Sequence, residues 1–353
     1  MTVKKINLAL QGGGAHGAFT WGALDRLLED ERIEIEAITA TSAGAMNAAA
    51  LKAGWTEDGR QGAQQALRRF WLAVAGLTGP MADFLDHWLR LTSTPPGLSA
   101  AMIKNSPVLL GGEMLTRALS PYQLNPMGFH PLRACVDEML AHCDMRTGRG
   151  QKLFIAATNV RTGRVRVFSD NEITTDAILA SACLPTLFQA IEIDDPLSGR
   201  REAYWDGGYM GNPSLFPLFY KSSCRDILIV HINPIERDTL PFTSGEILDR
   251  INEISFNSSL MGELRTLDLV NRLLDEGILP EDRMTRNRIH SVGDDSFMTG
   301  LGSASKMMPS QVLILQLRDA GRAAMDVFLD EHFDAIGKRS SVDLNSMFRH
   351  AIL

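Results

Sequence analysis

Cysteine is scarce in this 353-residue chain: Cys135, Cys143, Cys183 and Cys224 are all there is, with no C-x-x-C pair. That spacing excludes a zinc ribbon or a disulfide scaffold and suits a reducing compartment. The eight histidines are scattered, and His142-Cys143 has no further ligand at metal-binding spacing, so no metal and no cofactor are expected. Positive charge is not in excess either. Lys and Arg number 35 against 42 Asp and Glu, a net charge of −7, so no broad field draws nucleic-acid phosphates and no nucleic-acid partner is expected. Long apolar runs are missing as well. The uncharged stretch Ala37 to Leu51 is too short to span a bilayer and is broken by Thr, Ser, Gly and Asn, so no transmembrane segment is expected. The opening Met1 to Leu10 reaches glycines before any secretory h-region could form, and the mature chain is expected to start there, in the cytoplasm. No repeat or low-complexity tract appears.

What is present is an ordinary globular composition, 45% hydrophobic and 22% charged. At about 150 residues per domain it allows two domains or one α/β domain with insertions. Ile6 to Leu10 reads as a short strand, Gly12-Gly13-Gly14 as a turn, and Phe19, Ala23, Leu24, Leu27 and Leu28 as one face of a helix. A second strand, Ile35 to Ala40, runs into Thr41-Ser42-Ala43-Gly44 and an alanine-rich helix from Met46 to Leu51. Leu153 to Ala157, Ile227 to Ile232 and Gln311 to Leu317 are further strand candidates, with a helix from Asp319 to Ile336. Glu246 to Leu274 has a helical face interrupted near Asn257-Ser258-Ser259, suggesting two helices or one bent one. The repeated strand-turn-helix pattern predicts an α/β fold with a mostly parallel sheet.

Three places can carry chemistry. Gly12-Gly13-Gly14-Ala15-His16-Gly17 satisfies G-x-G-x-x-G between a strand and a helix, and Glu34 and Glu36 follow about where a dinucleotide's ribose would find a carboxylate. A dinucleotide-binding oxidoreductase therefore stays open, beside a plain tight turn and an oxyanion hole built from backbone N–H groups at a helix N-terminus. Ser42 sits where a buried strand turns abruptly into a helix among Ala40, Ala43 and Gly44, as in a nucleophile elbow. An ordinary N-cap serine would look the same. Asp206 closes the run Tyr204-Trp205-Asp206 before Gly207-Gly208, either as a turn residue or as a base aimed at Ser42. His231 follows in the order Ser, Asp, His, which keeps a Ser-His-Asp esterase or thioesterase open. His16 could brace the glycine loop or touch a phosphate.

Taken in order, Gly12-Gly13-Gly14-Ala15-His16-Gly17, Ala40-Thr41-Ser42-Ala43-Gly44, Ala180 to Pro185 and Asp206-Gly207-Gly208 resemble the patatin-like phospholipases. The resemblance covers about residues 6 to 220, more weakly through Leu274. It implies a three-layer α/β fold, patatin-like, with a mostly parallel central sheet and helices on both faces. It implies Ser42 as nucleophile and Asp206 as base, an oxyanion hole at Gly12, Gly13 and Gly14, and lipid acyl esters as substrates at a lipid or membrane surface. Two positions depart from the family's pattern: Ala40 stands where the elbow has glycine, and His16 where the glycine loop carries Arg or Lys.

The expected division is a catalytic domain over residues 1–220 and an α/β extension over 221–353 packed on it. Within the first, residues 77–130 read as an apolar insertion carrying Met81, Phe84, Trp88 and Leu89, suited to packing or to a lid over an acyl groove. A storage polyester remains an open substrate, and a non-catalytic lipid-binding protein an open function.

Overall fold

A computed structural model describes residues 3–77, 119–141, 145, 149–237, 239–280, 282, 284–301, 304–307 and 309–344. Most of the expected insertion, including Met81, Trp88 and Leu89, lies outside the described residues, as does His142-Cys143. Eight strands form one sheet: β1 Lys4–Leu10, β2 Ile33–Thr41, β3 Lys152–Asn159, β4 Val165–Ser169, β5 Ile191–Asp195, β6 Arg200–Asp206, β7 Asp226–Val230 and β8 Arg288–Val292. Their order is β5-β6-β3-β2-β1-β7-β8, with β4 also paired to β3. The centre, β3-β2-β1-β7-β8, is parallel, and β4, β5 and β6 make the antiparallel margin.

Alternation along the strands explains the layers. Ile6, Leu8 and Leu10 of β1 and Leu228 and Val230 of β7 face one apolar core, while Ala9, Ile227 and Ile229 face a second. The larger core is closed by α1 Gly17–Glu29, α2 Ala43–Ala75 and α8 Gln311–His332. Across the sheet, the second core takes Leu218 from α5 Phe216–Lys221 and Leu260, Leu264 and Leu267 from α6 Ser244–Asp275. Shorter helices are α3 Arg133–Leu140, α4 Thr175–Ser181 and α7 Asp295–Thr299. The fold is thus α/β, with a mixed, mostly parallel sheet between helical layers, and β7 and β8 continue the sheet past β1.

Two expectations change. Gln311 to Leu317 is not a strand but the start of α8, capped by Ser310 Oγ, which accepts the Leu313 N–H. Its buried residues Leu313, Ile314, Leu317, Gly321, Met325 and Phe328 keep a helical stripe that the first seven residues alone are too short to reveal. Residues 244–275 form one helix without a break at Asn257-Ser258-Ser259, because the buried Asn257 side chain bonds Gln11, Asn233 and Pro234 instead of its own backbone. The interruption falls in α2, at Asp58 and Gly59, where φ reaches 55° at the glycine.

Two helical glycines separate propensity from packing. A methyl at Gly22 of α1 would run into the Arg318 carbonyl of α8, whereas Gly262 of α6 is exposed with open space around it. Gly262→Ala should raise stability by up to about 1 kcal/mol. Gly22→Ala should lower it by about 1–3 kcal/mol, because separating two packed helices outweighs the propensity gain. Thermal melting of both variants beside the wild type reads the opposite signs.

Candidate active site

Parallel pairing carries β1 and β2 to the same edge of the sheet, and the turns that leave them there meet. Thr41, last of β2, pairs with Ala156 of β3, and the next β3 residue, Ala157, pairs with Asp206, last of β6. Residues 165 positions apart in sequence, Thr41 and Asp206, are thereby anchored to consecutive residues of one strand. Ser42 follows at φ 55°, ψ −123°, a region a non-glycine residue occupies only when its surroundings impose it. It stands at the N-cap position of α2, yet its hydroxyl caps nothing. The turn is held from below, with Ser42 N–H donating to Ser181 Oγ (2.9 Å) and that hydroxyl to the Ala156 carbonyl (2.6 Å). Thr41 Oγ1 donates to the Gly211 carbonyl at 2.6 Å.

Small residues are obligatory here. A Cβ on Gly44 would strike the Leu10 carbonyl, one on Gly17 would stand 2.6 Å from the Ala43 methyl, and one on Gly12 would stand 2.5 Å from Ser42 Cβ. Ala40, by contrast, has its methyl fully buried in the larger apolar core, so the departure from glycine adds packing there.

Asp206 is only 1% exposed. Its Oδ1 accepts the Gly208 N–H at 2.7 Å, and Oδ2 has no hydrogen-bond partner among the described residues. Burial pushes its pKa up to about 7, against the opposing pull of the Gly208 N–H and the Ser42 hydroxyl. That hydroxyl is near enough to act on the carboxyl without closing a hydrogen bond to Oδ2. Gly207 and Gly208 make room for this: side chains there would strike the Ala156 carbonyl and the Phe256 ring.

The glycine loop is fixed by amides. Gly12, expected among the oxyanion donors, gives its N–H to Asn212 Oδ1 at 2.6 Å, and its carbonyl accepts Asn233 Nδ2 at 2.8 Å. Gln11 Oε1 receives the N–H groups of Ile232 and Asn233. Gly13 and Gly14, the latter at φ 59°, keep N–H groups that no described residue accepts. His16 is buried and held well below its usual pKa, first by burial and then by the nearby Lys306. Gln11, Ser181, Asn212, Asn233 and Lys306 are the residues that sequence reasoning missed. Ser181 lies inside the Ala180 to Pro185 motif but its role does not show there, and no spacing marks the other four, since the five converge from five separate segments.

A cavity of about 420 Å³ opens beside Ser42, walled by Gly14, Ala15 and Ala43 and by the apolar Met46, Trp71, Leu132 and Phe188. His231 lies elsewhere. It lines a different cavity with Ser291 and Asp295, its Nδ1 has no partner among the described residues, and burial pulls its pKa down to about 4. Nothing joins it to Ser42 or Asp206 among the described residues, which removes the support for a Ser-His-Asp triad. The ribose carboxylates fail on geometry too. Glu34 pairs beside Lys5, so it and Glu36 begin β2 while the glycine loop follows the end of β1, at the opposite sheet edge. Glu36 is occupied by Ser222 and Ser223.

Residues 8–219 match the pattern of the patatin-like phospholipases. The chain belongs to that family. No curated protein matches it. Among solved structures it is similar to VipD from Legionella pneumophila, at 15% identity and a TM-score of 0.34, over 90% of this chain and 67% of that one. Both motif serine and motif aspartate of this patatin-like chain lie within the matched residues. Among the described residues, no helix is long and apolar enough to cross a membrane.

The raised Asp206 pKa has a stability consequence. Between an ordinary aspartate value, roughly 3.9, and about 7, the folded chain holds a proton that the unfolded chain has released. Its contribution to stability therefore falls as pH rises through that window and levels off above it. Asp206→Asn removes this slope, so its Tm relative to wild type should climb from pH 4 to pH 8. A Tm difference that stays constant across that range would show that Asp206 does not titrate there.

Proposed function

We propose that this patatin-like chain is a metal-independent serine hydrolase of lipid acyl esters, with Ser42 as nucleophile and Asp206 as its base. The observation that carries the reading is the strained Ser42 turn beside a buried carboxyl whose pKa is raised to about 7. An ordinary aspartate is too weak a base for an alcohol; burial removes much of that handicap near neutral pH.

In this mechanism the unpartnered Oδ2 of Asp206 takes the Ser42 proton as Oγ attacks the ester carbonyl carbon. The carbonyl π electrons move to oxygen, and the oxyanion meets the Gly13 and Gly14 N–H groups and the positive end of α2. Collapse expels the alcohol, which leaves with the proton from Asp206. Water, deprotonated by the same carboxylate, then releases the acid and restores Ser42. Gly12 supports the hole through Asn212 and donates nothing to it. The apolar cavity suits an acyl chain, with Trp71, Leu132 and Phe188 as its walls. Action at a lipid surface and a cytoplasmic location belong to the same proposal, the latter resting on the free Cys135, Cys183 and Cys224.

A serine-reactive alkyl phosphonate should label the wild type on the peptide containing Ser42 and leave Ser42→Ala unlabelled. On a short soluble ester, Ser42→Ala and Asp206→Asn should each cost roughly 10³-fold or more in kcat, and the double variant should be hardly worse than either. The wild-type rate should rise with pH through about 7, as Asp206 deprotonates. Binding of lipid without labelling or turnover would identify a non-catalytic lipid-binding protein instead.

A further inference from the structure

The segment matched to the family ends at residue 219, yet the glycine loop is gripped by a turn that begins 85 residues further on. This 3₁₀ turn, Ala304–Met307, touches the loop at two points and reaches it at a third through Asn233. Ser305 Oγ lies 2.7 Å from His16 Nε2 and donates its one proton to the Leu301 carbonyl at 3.0 Å, so toward His16 it acts as acceptor of Nε2–H. The Lys306 backbone carbonyl packs directly on Gly14, where any Cβ would collide with it. Lys306 Nζ donates to Asn233 Oδ1 at 2.7 Å, and Asn233 Nδ2 in turn holds the Gly12 carbonyl.

These contacts bracket Gly13 and Gly14 on both sides and fix the one conformation of a segment with almost no side chains to hold it. They also account for His16. A neutral imidazole donating Nε2–H suits a serine acceptor, whereas an arginine there would bury a second cation beside Lys306. Around the Lys306 ammonium, Glu253 and Asp249 supply negative charge and Arg237 positive.

We propose that the Ala304–Met307 turn is a positioning clamp for the oxyanion loop, with Ser305 acting through His16 and Lys306 through Asn233 and Gly14. The proposal rests on the reading of Gly13 and Gly14 as the oxyanion donors. A hole displaced by a fraction of an ångström stabilises charge in the transition state poorly while barely affecting ground-state binding.

The test uses the full chain and a soluble ester, with a long-chain alkyl trifluoromethyl ketone as probe. Its hemiketal oxygen occupies the hole only after Ser42 adds to the ketone. Ser305→Ala and Lys306→Met should each lower kcat at least tenfold and weaken ketone inhibition to a similar extent, with KM within about twofold. Lys306→Arg should recover most of the loss. His16→Ala combined with Ser305→Ala should be no worse than either alone. Hydrogen exchange of the peptide spanning residues 12–17 should quicken in both clamp variants while peptides of β2 and α2 stay protected, a readout that needs no activity. If Lys306→Met does not fold, Lys306→Gln replaces it. Equal changes in kcat and KM, or unchanged exchange in the loop, would overturn the clamp. Unchanged turnover and ketone inhibition in Ser42→Ala would instead overturn the hydrolase reading, leaving the exchange result to judge the clamp alone.

Discussion

Two adjacent residues of β3 hold the arrangement together: Ala156 is the partner of Thr41, and Ala157 of Asp206. A strand rises about 3.3 Å per residue, so this pairing sets the spacing of the hydroxyl and the carboxyl without any bond between them. The same strand supplies the Ala156 carbonyl that receives Ser181 Oγ, which in turn receives the Ser42 N–H. Backbone strain at Ser42 is therefore opposed by the pairing of Thr41 on β3 and by the buried hydrogen bonds through Ser181. A residue at φ 55° outside glycine costs on the order of 1–3 kcal/mol. Anchoring it on the most buried strands keeps that cost from being relieved by local rearrangement.

Much of this was legible in the sequence, and for identifiable reasons. Gly12 to Gly17, Ser42 and Asp206 each lie where an apolar strand stops against small residues, and the close approaches at Gly44, Gly17 and Gly207 show why larger ones could not stand there. Strands β1, β2, β3 and β7 announced themselves as short apolar runs because both of their faces are covered. The marginal strands β4 and β5 did not, since they are only partly buried and carry charged residues such as Arg166 and Glu192. α8 was misread at its start because seven apolar-rich residues suit a buried strand as well as a helix until the later spacing of Met325 and Phe328 is weighed. The amides Gln11, Asn212, Asn233 and Asn257 were illegible altogether. Their role depends on convergence in space, which no single sequence displays.

That amide cluster solves a problem created by the glycines. A loop without side chains pays the largest conformational entropy on ordering and has nothing of its own with which to hold a shape. Here neutral amides provide the missing contacts: Asn212 on the Gly12 N–H, Asn233 on its carbonyl, and Gln11 bridging to Ile232 and Asn233. Neutral partners suit the place. Charged ones beside Asp206 would either hold its carboxyl ionised and weakly basic or add to its burial penalty, whereas amides satisfy the backbone and leave burial to outweigh the pull of the Gly208 N–H and the Ser42 hydroxyl.

The one histidine of the loop follows the same rule. Burial keeps His16 neutral, so the loop carries no fixed positive charge of its own, and the cation that acts on His16, Lys306, is tethered to an amide oxygen and not to Asp206. An ammonium in direct contact with that carboxyl would lower its pKa and cancel the proton affinity that burial creates. Because Lys306 reaches the loop through Asn233, it can order the backbone while its charge is shared with the Glu253 and Asp249 side of the structure. The arrangement thus separates two tasks that one residue would perform badly together, holding the glycines still and leaving the aspartate basic.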